Sequence, residues 1–169
     1  MGILQPHERH RRRPGALGLK KSGTGAPGTG APGTCARAVV VHSLGHAEAA
    51  LAAAAALKAP VTLMSGPGAA GYAGPDWFLS VVRQAKARHP GVEAAAILDC
   101  AEAPGRALAA LRRGAQAIRL GGNAKARARV AAIALALGAR IDDTRYALLD
   151  LAGATDPERA VREFLKGRP

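Results

Sequence analysis

Aromatic residues make up only 3% of the 169 residues, which excludes a core of stacked rings; any core must come from small aliphatic side chains at close range. Cysteine is nearly absent as well. Cys35 and Cys100 have no spacing that suggests a disulfide framework or a zinc knuckle, and they fit a reducing, cytoplasmic compartment. The longest unbroken apolar run, Ala49 to Leu57, falls well short of the roughly 20 residues a membrane helix requires, so no membrane partner is expected. The Arg11 to Arg13 run precedes only a short, Gly/Pro-broken stretch ended by Lys20 and Lys21, and it reads as untargeted. There is no RNP-like aromatic strand, no zinc-finger spacing and no clear helix-turn-helix, so nucleic acid is expected to meet this chain only non-specifically.

Positive charge is plentiful. The formal net charge is +12, and residues 1 to 34 hold six Lys or Arg against Glu8 alone. A basic surface attracts polyanions and phosphorylated metabolites alike. In residues 1 to 34 the basic run His7 to Arg13 is followed by two tandem copies of Thr-Gly-Ala-Pro-Gly. Such a stretch buries too little surface to offset its ordering entropy, so it is expected to form a disordered basic Gly/Pro-rich arm. The remainder, 35 to 169, holds enough of the 49% hydrophobic residues for one α/β domain.

From Ala36 onward, short apolar runs alternate with longer Ala-rich segments, the pattern of repeated βα units on a parallel sheet. Strands are expected near Ala38 to Val41, Val61 to Met64, Ala94 to Leu98, Ala117 to Leu120 and Ala139 to Ile141. Helices are expected near Ala47 to Leu57, Asp76 to Arg88, Pro104 to Arg113 and Ala124 to Leu137, each rich in strong helix formers. Pro75 and Pro104 suit first helical turns, and Gly114 and Gly138 suit helix stops. Beyond Asp142 the chain turns polar before a last amphipathic helix, Pro157 to Lys166, which Thr155 or Asp156 would cap and which would bury Val161 and Phe164.

Three stretches in order carry a family likeness. They are Ala59-Pro60-Val61-Thr62-Leu63 with Ser65, Gly68-Ala69 and Gly71-Tyr72-Ala73-Gly74; His89-Pro90-Gly91-Val92 through Ile97-Leu98 to Asp99; and Ala109 to Gly114 followed by Ala117 to Gly122. Together they resemble the first half of the class II fructose-bisphosphate aldolases. That resemblance implies parallel βα repeats forming a half (β/α) barrel, or else an open doubly wound sheet, with active groups at the strand C-terminal ends. It covers about 100 of the residues and stops before the family's later strands. An open half-barrel exposes strand edges and an inner face, so the expectation is a homodimer, curling into a doubly wound open sheet, or cover by a tail such as the C-terminal helix.

By resemblance Asp99 matches the aldolase Asp that acts in proton transfer at the substrate hydroxyl; as a bare residue it reads equally well as a cap accepting hydrogen bonds from its own turn. Cys100 stands where the family has a zinc-binding His, although a lone Cys ending a strand is more often apolar filler. His42 and His46 flank the turn after the first strand, and with Cys100 they would make an improvised three-ligand zinc site. No cofactor is otherwise called for. The loop Ser65 to Gly74 would bring the backbone N–H groups of Gly66, Gly68 and Gly71, with the Ser65 hydroxyl, to an anionic or phosphorylated small molecule. Tyr72 and Trp77 would pack beneath it. Three readings follow: a shortened aldolase-like protein without aldolase turnover of its own, a metal-assisted lyase acting as an oligomer, and a basic interaction or nucleic-acid-associated protein.

Overall fold

The computed structural model describes residues 36–167. The arm expected over residues 1 to 34, and Cys35, lie outside the described residues. Strands β1 (Ala36–Val41), β2 (Val61–Ser65), β3 (Ala94–Asp99), β4 (Ala117–Arg119), β5 (Arg140–Ile141) and β6 (Tyr146–Asp150) form one sheet in the order β5-β4-β3-β2-β1-β6. Every pairing is parallel. Helices α1 (Leu44–Leu57), α2 (Ala69–Tyr72), α3 (Pro75–Arg88), α4 (Pro104–Arg112), α5 (Ala124–Ala136) and α6 (Pro157–Leu165) complete the chain.

From β1 to β5 each strand adds on the same side of the one before, and right-handed crossovers in a constant direction place every connecting helix on one face. The packing agrees, with the helices neighbouring one another in the order α6-α1-α3-α4-α5, parallel to the strand order. The sheet is therefore singly wound, as in half a barrel, and not doubly wound. Side-chain alternation sorts the two faces. Val39, Val41, Leu63, Leu98 and Ile118 meet the helices, whereas Ala38, Val40, Met64, Ile97 and Ala117 form a second cluster on the inner face.

Small residues let α1 sit close to the strands. Its Ala47, Ala50, Ala53 and Ala54 are fully buried along with Leu51, which answers the shortage of large side chains. Ser43 caps α1 by accepting from the His46 N–H at 3.1 Å, and Asn123 and Asp156 cap α5 and α6 in the same way. Of the two candidates for α6, Asp156 is thus the cap. Val161 is buried and Phe164 packs partly buried against the core, with the Arg37 guanidinium 5.8 Å above its ring.

Two elements depart from expectation. α2 is a single turn within the glycine loop, and β6 lies in a stretch expected to be irregular. β6 pairs along the whole of β1, from Ala36 opposite Tyr146 to Val40 opposite Asp150. It is this strand that covers the β1 edge, while α6, the expected cover, packs on α1 instead.

β6 also sets the curl of the sheet. In a flat sheet β5 and β6 would stand about 24 Å apart at the usual strand spacing, yet the chain from Ile141 to Tyr146 can reach only roughly 17 Å. The sheet must curl until its outer strands approach each other. Contacts across the inner face are those of a curled sheet: Tyr146 packs on the inner cluster, and the Arg119 guanidinium of β4 lies 5.9 Å over its ring, 3.8 Å from Met64 Sδ and 2.5 Å from the Thr144 carbonyl. The buried Asp142 carboxylate knots the connection, accepting from Thr144 N–H (3.0 Å), Tyr146 O–H (3.2 Å) and Arg140 (3.3 Å). Covering the inner face does not by itself require a second copy of the chain.

Replacing Asp142 by Ala removes the three hydrogen bonds made by this buried carboxylate, and should lower unfolding free energy by roughly 1–3 kcal/mol. Urea denaturation checks this; a loss below about 0.5 kcal/mol, the usual range for a plain surface substitution, would mean the knot does not hold the curl.

Candidate functional site

Parallel strands in one curled sheet bring their C-terminal ends to a common mouth, where three of the residues singled out from the sequence stand. His42 follows β1, Ser65 ends β2 and Asp99 ends β3. Their roles differ from one another.

Ser65 and Asp99 hold the loops. Ser65 is 1% exposed; its hydroxyl donates to the Gly66 carbonyl (3.1 Å) and accepts from the Asp99 N–H (2.9 Å), so the donor offered to an anion in the sequence reading is already committed. Asp99 Oδ1 accepts from the N–H of Gly68 (2.8 Å) and of Ala101 (2.9 Å). One contact ties β3 to the glycine loop. The other fixes a tight turn in which Ala101 takes a left-handed φ of 48°, a conformation that costs a non-glycine residue about 1 kcal/mol. The bracing role of Asp99 is visible in these two bonds.

Cys100 points the other way. It is 1% exposed within the helix-facing core, and burial, with the neighbouring Asp99 charge, pushes its thiol up to about 12. A thiol so hard to ionise, with its sulfur turned from the mouth, is a poor zinc ligand. The three-ligand set of His42, His46 and Cys100 is not assembled, and no group of three or more His, Cys, Asp or Glu that could hold a metal ion occurs among the described residues. These donors do not fit the zinc that the aldolase likeness implies.

What does assemble at the mouth is a pair of imidazoles with a carboxylate that sequence reading missed. His42 Nε2 lies 2.6 Å from Asp150 Oδ1 at the end of β6. Asp150 also accepts from the Ala152 N–H at 2.8 Å; burial alone would raise its pKa, but that N–H and His42 outweigh it and bring the carboxyl below its ordinary range. His46 sits edge-on to His42, ring centroids 6.1 Å apart, and its Nδ1 accepts from the His42 N–H at 3.4 Å. Partial burial, and then the neighbouring His42, lower its pKa although Asp150 pulls the other way.

Gly66 lies buried beneath the His42 and Tyr72 rings. A Cβ there would stand 2.8 Å from Tyr72 Oη, 3.1 Å from His42 Cε1 and 3.3 Å from His42 Nδ1. With Nε2 engaged by Asp150, the free ring nitrogen of His42 and the Tyr72 hydroxyl thus converge over one glycine. Tyr72 is 71% exposed and does not pack beneath the loop as expected, whereas Trp77 does lie partly buried against the core. Gly68, at φ 66°, takes the left-handed conformation that favours glycine and from which α2 starts. Gly71 gives room to Arg106, whose guanidinium clamps the Gly71 carbonyl and lies within 3.0 Å of where a Cβ would be. The only sequence sign of Asp150 was Tyr146 to Asp150 itself, a short apolar run ending in an acid, as β3 ends in Asp99.

No protein-family model matches this chain, and no curated protein matches it.

Two measurements test the site. Asp99→Ala should cost roughly 1–3 kcal/mol by orphaning two backbone donors, and a thermal melt unchanged from wild type would contradict the bracing role. His46 has a folded pKa below the ordinary 6.5. The folded state then binds fewer protons than the unfolded state, so stability is complete above 6.5 and declines as pH falls through the lowered value. Replacing His46 by Gln should flatten the fall in Tm between about pH 7 and pH 5; equal slopes in the two proteins would refute the shift.

Proposed function

We propose that this chain is a shortened, barrel-type α/β protein, similar to the front half of a class II aldolase, that holds an anionic or phosphorylated small molecule over Gly66 and has no aldolase turnover of its own. The observation that carries the reading is the convergence of His42 Nδ1 and Tyr72 Oη over that glycine, with His42 oriented by Asp150 at 2.6 Å. A protonated His42 offers a charged donor to the ligand, Tyr72 offers a neutral one, and Asp150 holds the ring in place. The N-terminus of α1, next to His42, adds a favourable field for negative charge. Asp99, Gly68 and Gly71 enter as the scaffold that fixes the glycine loop, not as ligand contacts.

A second reading has its own support. When His42 is neutral and Nε2–H donates to Asp150, Nδ1 becomes an acceptor facing the site, the arrangement of an oriented general base with a phenol opposite it. A lyase of this kind would work by proton transfer between these side chains. Its carbon acid would have to sit between Nδ1 and Oη.

The setting is proposed to be cytoplasmic. Cys100 is a free, buried thiol, as a reducing compartment allows, and no described helix is long and apolar enough to cross a membrane. Contact with nucleic acid through the basic surface is proposed to be weak and salt-sensitive.

Calorimetric titration with fructose 1,6-bisphosphate and with inorganic phosphate tests the first reading. Saturable binding is expected, weakened about tenfold or more by His42→Ala, a loss suited to one charge-assisted contact. Gly66→Ala should have a similar effect by displacing Tyr72 and His42. Binding indifferent to both substitutions, or none at all, would overturn the reading; sugar-phosphate cleavage lost in the Tyr72→Phe variant would favour the second.

A further inference from the structure

A second concavity lies at the opposite end of the sheet. Where β1 and β2 present Val39, Val41, Val61 and Leu63 to the helices, β3 presents Ala94 and Ala96. A methyl group fills less of the space under α3 than a valine or leucine does. Although β3 lies inside the sheet, both alanines are only half-buried, whereas Val61 and Leu63 on the adjoining strand are buried. The gap is a cavity of about 320 Å³, within the roughly 300–1,000 Å³ of small-molecule sites.

Its walls divide by chemistry. Phe78 and Val82, one turn apart on α3, face Ala94, Ala96 and Leu98 across the gap, making an apolar slot. Its cationic side chains are Arg83, Lys86 and Arg140, and no acidic side chain is among the described residues that line it. Arg83 and Arg140 are exposed and Lys86 is half-buried. Arg83 contacts Ser80 Oγ at 3.3 Å, and Arg140 reaches Asp142 at 3.3 Å.

We propose that this cavity binds a medium-chain monocarboxylate, the aliphatic tail lying between α3 and the alanines of β3 and the carboxylate meeting Lys86, Arg83 and Arg140. An apolar slot alone would take any greasy molecule. Three cations and no lining carboxylate select an anionic head, Lys86 and Arg83 foremost because Arg140 is shared with Asp142, and methyl-lined walls suit one unbranched chain. The site is separate from the one over Gly66, because Ala94, Ala117 and Arg140 begin their strands while His42, Asp99 and Asp150 stand at the C-terminal ends.

Isothermal titration of the full chain with octanoate, octanol and octyltrimethylammonium tests the proposal. Saturable one-to-one binding of octanoate is expected, with octanol weaker and the ammonium ion not bound. Ala96→Leu fills the slot and should abolish binding while the protein still melts cooperatively. Lys86→Glu, a change on the surface of α3, should weaken binding about fivefold or more, as reversal of a partly exposed ion pair does; it decides the matter if the leucine variant fails to fold. His42→Ala should leave the octanoate Kd unchanged. Octanoate heats that do not saturate, equal affinity for octanol, a Kd untouched by Lys86→Glu, or a loss in His42→Ala would each overturn the assignment.

Discussion

Four residues, Asp142 to Arg145, join the outermost strands of a six-stranded sheet, and they are too few to cross it while it is flat. The curl follows from that reach. A sheet bent enough for β5 and β6 to be joined so briefly has an inner face that Tyr146 and Arg119 can fill from opposite strands. Its charged Asp142 must then be satisfied locally, by Arg140, Thr144 and Tyr146. An Ala-rich chain with few rings has little dispersion energy to spare per residue, so this polar connection takes on a share of the work that larger side chains do elsewhere.

The same constraint makes the mouth. Because β6 is laid beside β1, Asp150 arrives next to His42, and a residue from the far end of the chain completes a site begun by the first strand. Ser65 and Asp99 spend their hydrogen bonds on holding β2, β3 and the glycine loop together, which leaves His42 Nδ1 and the Tyr72 hydroxyl as the groups that meet over Gly66. The loop that looked like the site is its foundation. Cys100, one residue beyond the strand, alternates to the opposite face and joins the core.

How much of this the sequence disclosed depends on the element. β1 to β5 and the five longer helices were legible to within a few residues, since glycine, proline or a capping side chain marks most of their ends and their periodicity changes between runs. β6 was not, because Tyr-Ala-Leu-Leu-Asp follows β5 with no helix between, breaking the βα alternation by which the other strands were recognised. Losing β6 lost Asp150. The environment of Cys100 was readable in principle from period-two alternation along β3, whereas the position of Tyr72 was not, since a one-turn helix has no periodicity to read. Ala94, Ala95 and Ala96 were visible as a strand, but that their small size leaves a cavity beneath α3 depends on where the helix lies.

The curl of the sheet is the claim on which the mouth and the position of Asp150 both rest. It is tested most directly by nuclear Overhauser spectroscopy on the tyrosine rings. Cross-peaks from Tyr146 on β6 to the side chains of Arg119 and Ala117 on β4 are predicted; in a flat sheet these strands would stand about 19 Å apart, and Tyr146 cross-peaks confined to β1 and its own loop would contradict the account.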